Sequence, residues 1–413
     1  MARVAIIGGG ASGLLTAIHI LRAGGKDVTV VEPGPLGAGI AYSTTDVDHR
    51  LNVPAAGMSA LPGDPEHFLN WLRANRDPDF PAGGFARRVD FLTYLQELFA
   101  ELVALPAPAR AELRATRATS LVPEGERWRV VLADGGEFVA DDVVLAMGNG
   151  VPSIAWAPED LKNSDRFVAD PWAQPVPDAL VPGPGGTVLL VGAGLTMADM
   201  AISWGRRGAT VHVVSRHGLL PLPHSKAPNP RPAPPELPGA DTIPMAEAKA
   251  LVETTIGKYD DWRDGVDSLR TVTAELWRRI PVAERAAWLR GENRYWNRAR
   301  HRVAPEVGDR LAEMLEQGTL VNHTGTYEQV APTLEPDVIV NCTGPANAHG
   351  DNPFVQRLIA DGIVRPHPVG IGIETDRPGL WLIGPMRHGE LFETTAIPEI
   401  RGQAAAIAQA LLG

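Results

Sequence analysis

Two glycine-rich turns hold the residues of this chain that are best suited to bind a phosphorylated ligand. The first turn is Gly8-Gly9-Gly10-Ala11-Ser12-Gly13, between the apolar segment Arg3–Ile7 and a helical pattern over Ala11–Ala23. In such a turn Gly8 permits the tight bend, Gly10 lets the backbone approach a pyrophosphate, and Gly13 lets the helix pack closely on the strand. The free N–H groups and the dipole of the helix N-terminus then hold the phosphate groups.

An acidic residue completes this first pattern. Glu32 ends the predicted strand Val28–Glu32 and lies 24 positions after Gly8. A carboxylate at this place accepts hydrogen bonds from ribose hydroxyls, so the segment has the full fingerprint of a dinucleotide site. The residues predicted to form this site are Gly8, Gly10, Ala11, Ser12, Gly13, Glu32 and Pro33.

The second turn, Gly192-Ala193-Gly194-Leu195-Thr196-Met197, predicts a second dinucleotide site. Arg216 lies 24 positions after Gly192 and therefore takes the place that Glu32 has in the first unit. A carboxylate there would repel a 2′-phosphate, whereas a guanidinium beside the Ser215 hydroxyl binds it, which favours NADPH over NADH. The simpler alternative is a surface arginine at a strand end. The residues predicted to bind NADPH are Gly192, Gly194, Leu195, Thr196, Ser215, Arg216 and His217.

These turns need strands and helices to position them, and the pattern predicts an α/β fold with two Rossmann-like dinucleotide-binding domains. We expect the second domain to be inserted in the first, with residues 1–170 and 331–413 forming one domain and 171–330 the other. Residues from about 225 to 317 read as a helical insert within the second domain. Segments Trp128–Leu132 and Glu137–Val139 read as a hairpin.

Composition excludes several classes of protein. The net charge of −11 disfavours non-specific nucleic-acid binding, and no apolar run approaches the length of about 20 residues that crosses a membrane. The chain enters its first strand at once, so we predict no signal peptide. Its one cysteine, Cys342, excludes an internal disulfide and a CxxC pair, which argues against the disulfide-reductase branch of flavoproteins and fits a cytoplasmic location. The histidines lack metal-ligand spacing, so no metal site is predicted.

The order of several further motifs gives the chain a family resemblance over nearly its whole length. It resembles flavin-containing monooxygenases and ornithine N-hydroxylases, and still more closely the bacterial FAD/NAD(P)-binding proteins that include a flavin-dependent urate hydroxylase. The segments that carry the resemblance are Gly37–Tyr42, Leu51–Ala55, Pro171–Trp172, Gly192–Met197, Ser215–Gly218 with Leu219–His224, Asn341–Pro345 and Glu393–Arg401. The resemblance implies FAD on the first unit and NADPH on the second.

The resemblance also implies roles for residues outside the two turns. Leu51–Val53 should lie beside the isoalloxazine ring, where Asn52 is either a catalytic side chain that bonds the flavin or nicotinamide, or a turn asparagine. Glu393 either faces the flavin or caps the last helix. Gly384-Pro385 replaces the Gly-Asp of other FAD folds. The further residues implied to contact FAD are Gly39, Ala41, Tyr42, Leu51, Val53, Gly148, Gly384, Thr394, Thr395 and Ala396.

The expected activity is monooxygenation of a small molecule with O₂, through a C4a-(hydro)peroxyflavin formed after reduction by NADPH. An NADPH-dependent flavin dehydrogenase or electron-transfer reductase is the alternative, and a non-catalytic FAD/NADPH-binding sensor is a second one. Trp296, Arg300 and His301 in the helical insert are candidates for an anionic or planar substrate, against the alternative of a solvated helix face.

Overall fold

The computed structural model describes residues 2–105, 110–173, 182–227, 232–347, 350 and 352–412. The strands of this part of the chain, numbered in order, are β1 Ala2–Ile7, β2 Lys26–Val31, β3 Ala111–Arg114, β4 Ala118–Glu124, β5 Arg127–Leu132, β6 Glu137–Ala140, β7 Asp142–Leu145, β8 Phe167–Val168, β9 Thr187–Val191, β10 Thr210–Ser215, β11 Leu320–Thr324, β12 Val338–Asn341, β13 Arg365–Pro366, β14 Ile373–Glu374 and β15 Leu380–Leu382. The α-helices are α1 Ala11–Ala23, α2 His67–Asn75, α3 Arg88–Ala104, α4 Glu159–Lys162, α5 Leu195–Arg206, α6 Met245–Ile256, α7 Trp262–Ser268, α8 Thr273–Arg279, α9 Val282–Gly291, α10 Asn293–Arg300, α11 Pro305–Glu316, α12 Tyr327–Leu334, α13 Pro353–Ala360, α14 His388–Leu391 and α15 Ile397–Leu412.

The first sheet is parallel and has the strand order β15-β7-β1-β2-β3. Its inner strands β1, β2 and β7 are apolar on both faces because helices cover one side and β4–β6 the other, as is typical of parallel sheets. The edge strand β3 is largely exposed. Helix α1 packs between α3 and α15. It ends at Gly24, whose positive φ of 75° lets the chain leave the helix while its N–H donates to the carbonyl of Ile20.

The second sheet is also parallel, in the order β11-β10-β9-β12-β8. It begins at Phe167, before the predicted boundary at 170, and it includes Val338–Asn341, beyond the predicted boundary at 330. The second sheet therefore takes its edge strand β8 from before residue 170 and its inner strand β12 from beyond residue 330, while the domain bounds themselves stay predictions. The prediction of two such α/β units, with the second nested in the first, is confirmed.

The two segments that connect the units run side by side. Pro152 and Pro345 form an isolated antiparallel bridge, and the N–H of Ala346 donates to the carbonyl of Val151 at 3.3 Å. The Asn341 amide also donates to the carbonyl of Ser153 at 3.3 Å. The chain thus enters and leaves the second unit at neighbouring points.

Smaller elements complete both units. β4, β5 and β6 form an antiparallel sheet, which confirms the predicted hairpin, and its inner face joins α13 in one core. Helices α6–α11 form the predicted insert between β10 and β11. Tryptophans of α8, α9 and α10 pack around Phe392, so the insert reaches back to the first unit. No helix within the described ranges is long and apolar enough to cross a membrane.

Candidate functional site

The first glycine turn follows β1 at the carboxyl end of the first sheet, and its backbone leaves no room for side chains. Gly8 has φ of 100°, and a Cβ built on it would lie 2.4 Å from the carbonyl oxygen of Ala146. A Cβ on Gly13 would lie 1.9 Å from the carbonyl oxygen of Gly8. The chain therefore approaches itself closely at both places, as the sequence predicts, and the first turn of α1 leaves its N–H groups at the surface of the turn.

Glu32 lies beside this turn at the end of β2. Its carboxylate accepts hydrogen bonds from the N–H of Gly9 at 2.7 Å and of Gly34 at 2.9 Å. Pro33 next to it is exposed. Each oxygen retains lone pairs, so the half-buried carboxylate has a fixed position from which it can also accept hydrogen bonds from ribose hydroxyls.

The loop after Pro35 closes over the same turn. The N–H of Gly37 donates to the carbonyl of Gly9 at 2.7 Å, and a Cβ on Gly10 would lie 3.4 Å from the Cα of Gly39. Gly39 and Ala41 are exposed beside the turn. Tyr42 instead lies in the core with its ring 5.0 Å from that of Phe91, and burial raises the pKa of its hydroxyl.

The last segment of the chain adds a buried polar set next to Ser12. A Cβ on Gly384 would lie 2.8 Å from the Ser12 hydroxyl, and the N–H of Gly384 donates to the Gln403 side chain at 3.0 Å. The Thr394 hydroxyl and the Gln403 side-chain nitrogen are buried without a hydrogen-bond partner. Such atoms are rare unless a ligand or water satisfies them, so this set fits the polar ribityl and pyrophosphate part of FAD.

Other FAD folds have an aspartate where this chain has Pro385, and the side chain of Gln403 supplies a polar group at that place. It reaches Gly384 from α15, 19 positions later, and nothing in a helical glutamine indicates this contact from sequence alone. Around the same site, Gly148 follows β7 with a positive φ of 68°, Thr395 is exposed and Ala396 is half-buried. The residues implied to contact FAD therefore surround the carboxyl ends of β1, β2, β7 and β15, with Tyr42 set back in the core.

The second glycine turn follows β9 and repeats the geometry of the first. Gly192 has φ of 111°, and its Cβ would lie 2.3 Å from the carbonyl oxygen of Cys342. Gly194 has open space where its Cβ would be, and Leu195 and Thr196 begin α5 half-buried. The N-terminus of α5 is thus accessible, as binding of a pyrophosphate requires. Met197 in place of the third glycine is fully buried in the core of the second unit.

Arg216 lies at the predicted place directly after β10. Its side chain and that of His217 are exposed, and among the described residues Arg216 has no acidic partner. The Ser215 hydroxyl accepts a hydrogen bond from the N–H of Gly218 at 3.1 Å and so keeps its own proton to donate. The guanidinium is thus available to an anion at the carboxyl end of the sheet.

A narrow cleft between the units lies at the N-terminus of α5. Its lining includes Arg50 and Asn52 from the first unit and Leu195 from the second. One wall is an ion pair between units, in which a guanidinium nitrogen of Arg88 lies 2.5 Å from a carboxylate oxygen of Asp199. Sequence reasoning missed this pair, because a contact between residues so far apart leaves no local signal.

Asn52 lies at the junction of the first unit and the insert. Its neighbours Leu51 and Val53 are buried in the core, while Asn52 is half-buried. Its carbonyl oxygen lies 3.0 Å from Nε2 of His224. Burial and then the charge of Arg302 lower the pKa of His224 to about 4, so this histidine is neutral at pH 7 and donates its Nε2 proton to that carbonyl.

Glu393 joins the predicted substrate residues to the predicted flavin segment. It accepts a hydrogen bond from the indole nitrogen of Trp296 at 2.9 Å, and Arg300 and His301 lie 3.8 and 3.7 Å from its carboxylate oxygens. Burial opposes the charge on Glu393, but Arg300 and then His301 outweigh it and lower the carboxyl pKa. The carboxylate of Glu393 thus faces side chains of the helical insert.

A strained turn aims this carboxylate. Phe392 has φ of 65°, which a bulky residue rarely adopts, and the N–H of Glu393 donates across it to the carbonyl of Leu391 at 2.8 Å. Trp277 stacks on Phe392 at 4.6 Å and holds the turn in place. Strain of this kind often marks a functional site.

The thiol of Cys342 is shielded from solvent. Cys342 is 2% exposed, and burial raises the pKa of its thiol, which makes it a poor nucleophile. Within the ranges that the structure covers, no group of histidine, cysteine or acidic side chains could hold a metal ion.

Comparison with protein families matches the first unit. Residues 5–150 match the model of a family described as FAD-NAD(P)-binding. This stretch begins within β1 and contains the first glycine turn, Glu32 and β7, so this part of the chain is similar to a FAD-NAD(P)-binding domain. A comparison with curated proteins gives no match.

Solved structures share the fold over nearly the whole chain. A cadaverine monooxygenase of desferrioxamine biosynthesis from Erwinia amylovora, bound to FAD, is 15% identical, with 99% of this chain and 93% of that chain covered and a TM-score of 0.62. An ornithine N-hydroxylase from Kutzneria sp. 744 is 13% identical, with coverage of 99% and 98% and a TM-score of 0.60. A bacillithiol disulfide reductase from Bacillus cereus is 16% identical, with coverage of 99% and 98% and a TM-score of 0.55. At these identities the likeness shows a shared fold.

Proposed function

We propose that this chain is an NADPH-dependent flavoprotein monooxygenase that acts on a small molecule. The observation that carries the proposal is the pair of glycine turns, each at the carboxyl end of its own parallel sheet, in a single chain whose units touch at the second turn. FAD, when bound, accepts hydride from a nicotinamide and supplies the chemistry that activates oxygen. The protein's own part is to bind, orient and screen the reactants.

The first unit is the one that would hold FAD. The turn Gly8–Gly13 and the N-terminus of α1 suit its pyrophosphate, and Glu32 suits its ribose. Thr394 and Gln403 offer buried polar atoms that no protein group satisfies. The second unit would hold NADPH, because Arg216 is an exposed cation where the first unit has a carboxylate.

Oxygen transfer, rather than thiol exchange, is favoured by the state of the one cysteine. Reduction of a disulfide substrate through a protein thiol needs an accessible thiolate, and Cys342 is buried with a raised pKa. The shared fold with a cadaverine monooxygenase and an ornithine N-hydroxylase is consistent with this proposal, and the likeness to a disulfide reductase is not matched by a reactive thiol.

The second candidate is a reductase that passes electrons from NADPH to another acceptor. The exposed residues Gly39 and Ala41 favour it, because they leave the predicted flavin site open on one side. A monooxygenase needs a site that excludes water, which the insert would provide by covering Asn52 and Glu393.

The test has two stages. We would first mix the purified yellow protein with NADPH, and separately with NADH, without oxygen, and follow the flavin absorbance. We would then supply isotopically labelled oxygen with a panel of small amines and carboxylates, and search for labelled products by mass spectrometry. Faster reduction by NADPH and a product with one labelled oxygen atom would support the proposal. Reduction without labelled product, but with rapid reduction of an added dye, would favour the reductase, and no reduction by either nucleotide would contradict both.

A further inference from the structure

Two arginines at the end of α10 bury hydrogen-bond donors that have no acceptor. The side chain of Arg300 is 7% exposed and that of Arg302 is 0% exposed. Two nitrogens of each guanidinium, Nε and Nη2 of Arg300 and Nε and Nη1 of Arg302, have no hydrogen-bond partner. Buried charged donors without acceptors are costly, so two of them side by side indicate a missing oxygen ligand.

The carboxylates near these arginines are already engaged. Glu399 forms a two-bond pair with Arg270 at 2.5 and 2.8 Å, and it lies 3.7 Å from Arg300. Glu393 accepts from Trp296 and lies 3.8 Å from Arg300. These separations run from Nε of Arg300 to Glu393 and from Nη2 of Arg300 to Glu399, and both exceed hydrogen-bond length. The two acids therefore balance the charge of Arg300 without accepting hydrogen bonds from these two nitrogens.

Arg302 also has a nearby acid that leaves some of its nitrogens without a hydrogen-bond partner. One of its nitrogens pairs with Asp267 at 2.5 Å, and its guanidinium lies 5.8 Å from the centre of the Trp262 ring. Both arginines lie near His224, whose pKa is lowered by burial and by the charges of Arg302 and Arg300. His224 is neutral and donates from Nε2 to the carbonyl of Asn52, so it supplies no charge to balance these arginines. Its Nδ1 can accept a hydrogen bond, but Nε and Nη1 of Arg302 have no hydrogen-bond partner there.

The unpartnered guanidinium nitrogens of Arg300 and Arg302 lie near residues that the proposed reaction would use. His224 connects them to Asn52, and Trp296 with Arg300 connects them to Glu393. These are the two segments, Leu51–Val53 and Glu393–Ala396, that the family resemblance implies lie near the flavin. A ligand bound to the arginines would therefore lie between them.

We propose that Arg300 and Arg302 bind the carboxylate of a small planar substrate. Carboxylate oxygens match the fork of a guanidinium, and the ring of Trp296, whose indole nitrogen donates to Glu393, offers a flat apolar surface in the same region. This inference rests on the proposed function for the place of the flavin and deepens it by naming the class of substrate.

The test compares an acid with its neutral isostere. We would titrate benzoate and benzamide into the purified yellow protein by isothermal calorimetry and repeat acetate against acetamide. The proposal expects each acid to bind at least about tenfold more tightly than its amide, because a charge-assisted pair is lost with the charge. Equal binding of acid and amide in both pairs, or binding of neither acid, would overturn it.

Three variants locate the binding site. Arg300→Gln should weaken benzoate binding by about tenfold or more. Arg298→Gln is the matched control, since this neighbour on α10 donates to the carbonyl of Leu220 outside the cluster and its loss should leave benzoate binding unchanged. If Arg300→Gln fails to fold, as judged by flavin content, Arg300→Lys keeps the charge without the fork and should still weaken benzoate binding. Wild-type affinity in a folded Arg300 variant would overturn the proposal.

Anaerobic reduction by NADPH separates this inference from the proposed function. Normal bleaching of the flavin with no preference for acids would leave the oxidoreductase standing and remove the carboxylate site. Tighter binding of acids without bleaching of the flavin would support the carboxylate site and contradict the proposed oxidoreductase function.

Discussion

At the scale of single residues, Arg216 is the side chain that decides which nicotinamide cofactor the chain prefers. We predict that Arg216→Ala raises the KM for NADPH by roughly tenfold to a hundredfold, because a charge-assisted bond to a 2′-phosphate contributes about 1.5–3 kcal/mol. The KM for NADH should change little, since NADH has no such phosphate. Steady-state oxidation of both nucleotides, followed by absorbance, measures the two values.

Arg207 provides the control for this prediction. It is also exposed but lies after α5, at the opposite end of the sheet from Arg216, with its guanidinium over the ring of Trp204. Arg207→Ala should leave both KM values unchanged. An equal rise in the KM for NADPH and NADH in Arg216→Ala would show that Arg216 does not read the 2′-phosphate.

The residues that could be predicted from sequence are those whose role is local. The conformations of Gly8 and Gly192 follow from the turn each must make, and the place of Arg216 follows from its register with Glu32. Gln403 and Asp199 could not be predicted, because each acts through a partner that only the tertiary fold brings near. The sequence predicts Trp296, Arg300 and His301 as one group of substrate residues. It does not predict their contacts with Glu393, which lies 97 residues after Trp296 in the chain.

At the scale of elements, α5 ties the second unit to a loop of the first. Asp46 accepts hydrogen bonds from Ser203 at 2.6 Å and from Arg206 at 2.9 and 3.0 Å, and His49 lies 2.9 Å from the Ser203 hydroxyl. Burial opposes the charge on Asp46, but these bonds and the N–H of Asp48 outweigh it and lower its pKa to about 2. The ionised carboxylate is therefore the form that holds the units together.

We predict that Asp46 gives the chain an acid-dependent share of its stability. Because its pKa is lower in the folded state than its ordinary value of 3.8, the stabilisation is complete above about pH 4 and is lost as the pH falls towards 2. Asp46→Asn should lower the free energy of unfolding by on the order of 1 kcal/mol at pH 7, a value reduced by the partial exposure of Arg206. The difference from wild type should shrink below pH 4 in urea unfolding curves.

An exposed aspartate serves as the reference for that measurement. Asp165→Asn should track the wild type at every pH, since Asp165 lies at the surface between α4 and β8. A constant difference between Asp46→Asn and wild type from pH 7 to pH 2 would show that the charge of Asp46 is not what stabilises the contact.

Helices and strands could be predicted closely where their apolar pattern is continuous. The strand before the first glycine turn begins one residue before its predicted start, and helix α1 has its predicted bounds, Ala11–Ala23. The short strand Phe167–Val168 could not be predicted, because only its pairing with β12 makes two residues a strand.

At the scale of the whole molecule, the first unit is complete only when the last segment of the chain returns to it. β15 pairs with β7, α15 packs on α1, and Gln403 reaches Gly384. We predict that a chain ending at Ala346 fails to fold its first unit, although residues 5–150 match the family model. The buried faces of β7 and α1 would be left in water, at a cost far above a typical total stability of about 5–15 kcal/mol.

Expression of this shortened chain beside the full chain tests the point. Flavin content and far-ultraviolet circular dichroism of the soluble fraction would report FAD binding and folding. A soluble shortened chain that retains FAD would show that the first unit does not depend on its return segment.

The presence of two α/β units was predictable from the repeat of the glycine turn, since two turns in one register imply two sheets. The residues at which the chain passes from one unit to the other were not predictable. The strands β8 and β12 join the second sheet through tertiary pairing, which leaves no local sequence pattern.

The bridge between Pro152 and Pro345 brings the two ends of the second unit together, so this unit can be exchanged as one piece. Because the chain enters and leaves it at adjacent points, an unrelated domain with ends equally close could be grafted there without displacing either half of the first sheet. We expect a chimera with a small fluorescent or affinity module in place of residues 153–344 to keep its FAD and lose all response to NADPH. Loss of FAD from a folded chimera would mean that α5 and the insert help to hold it.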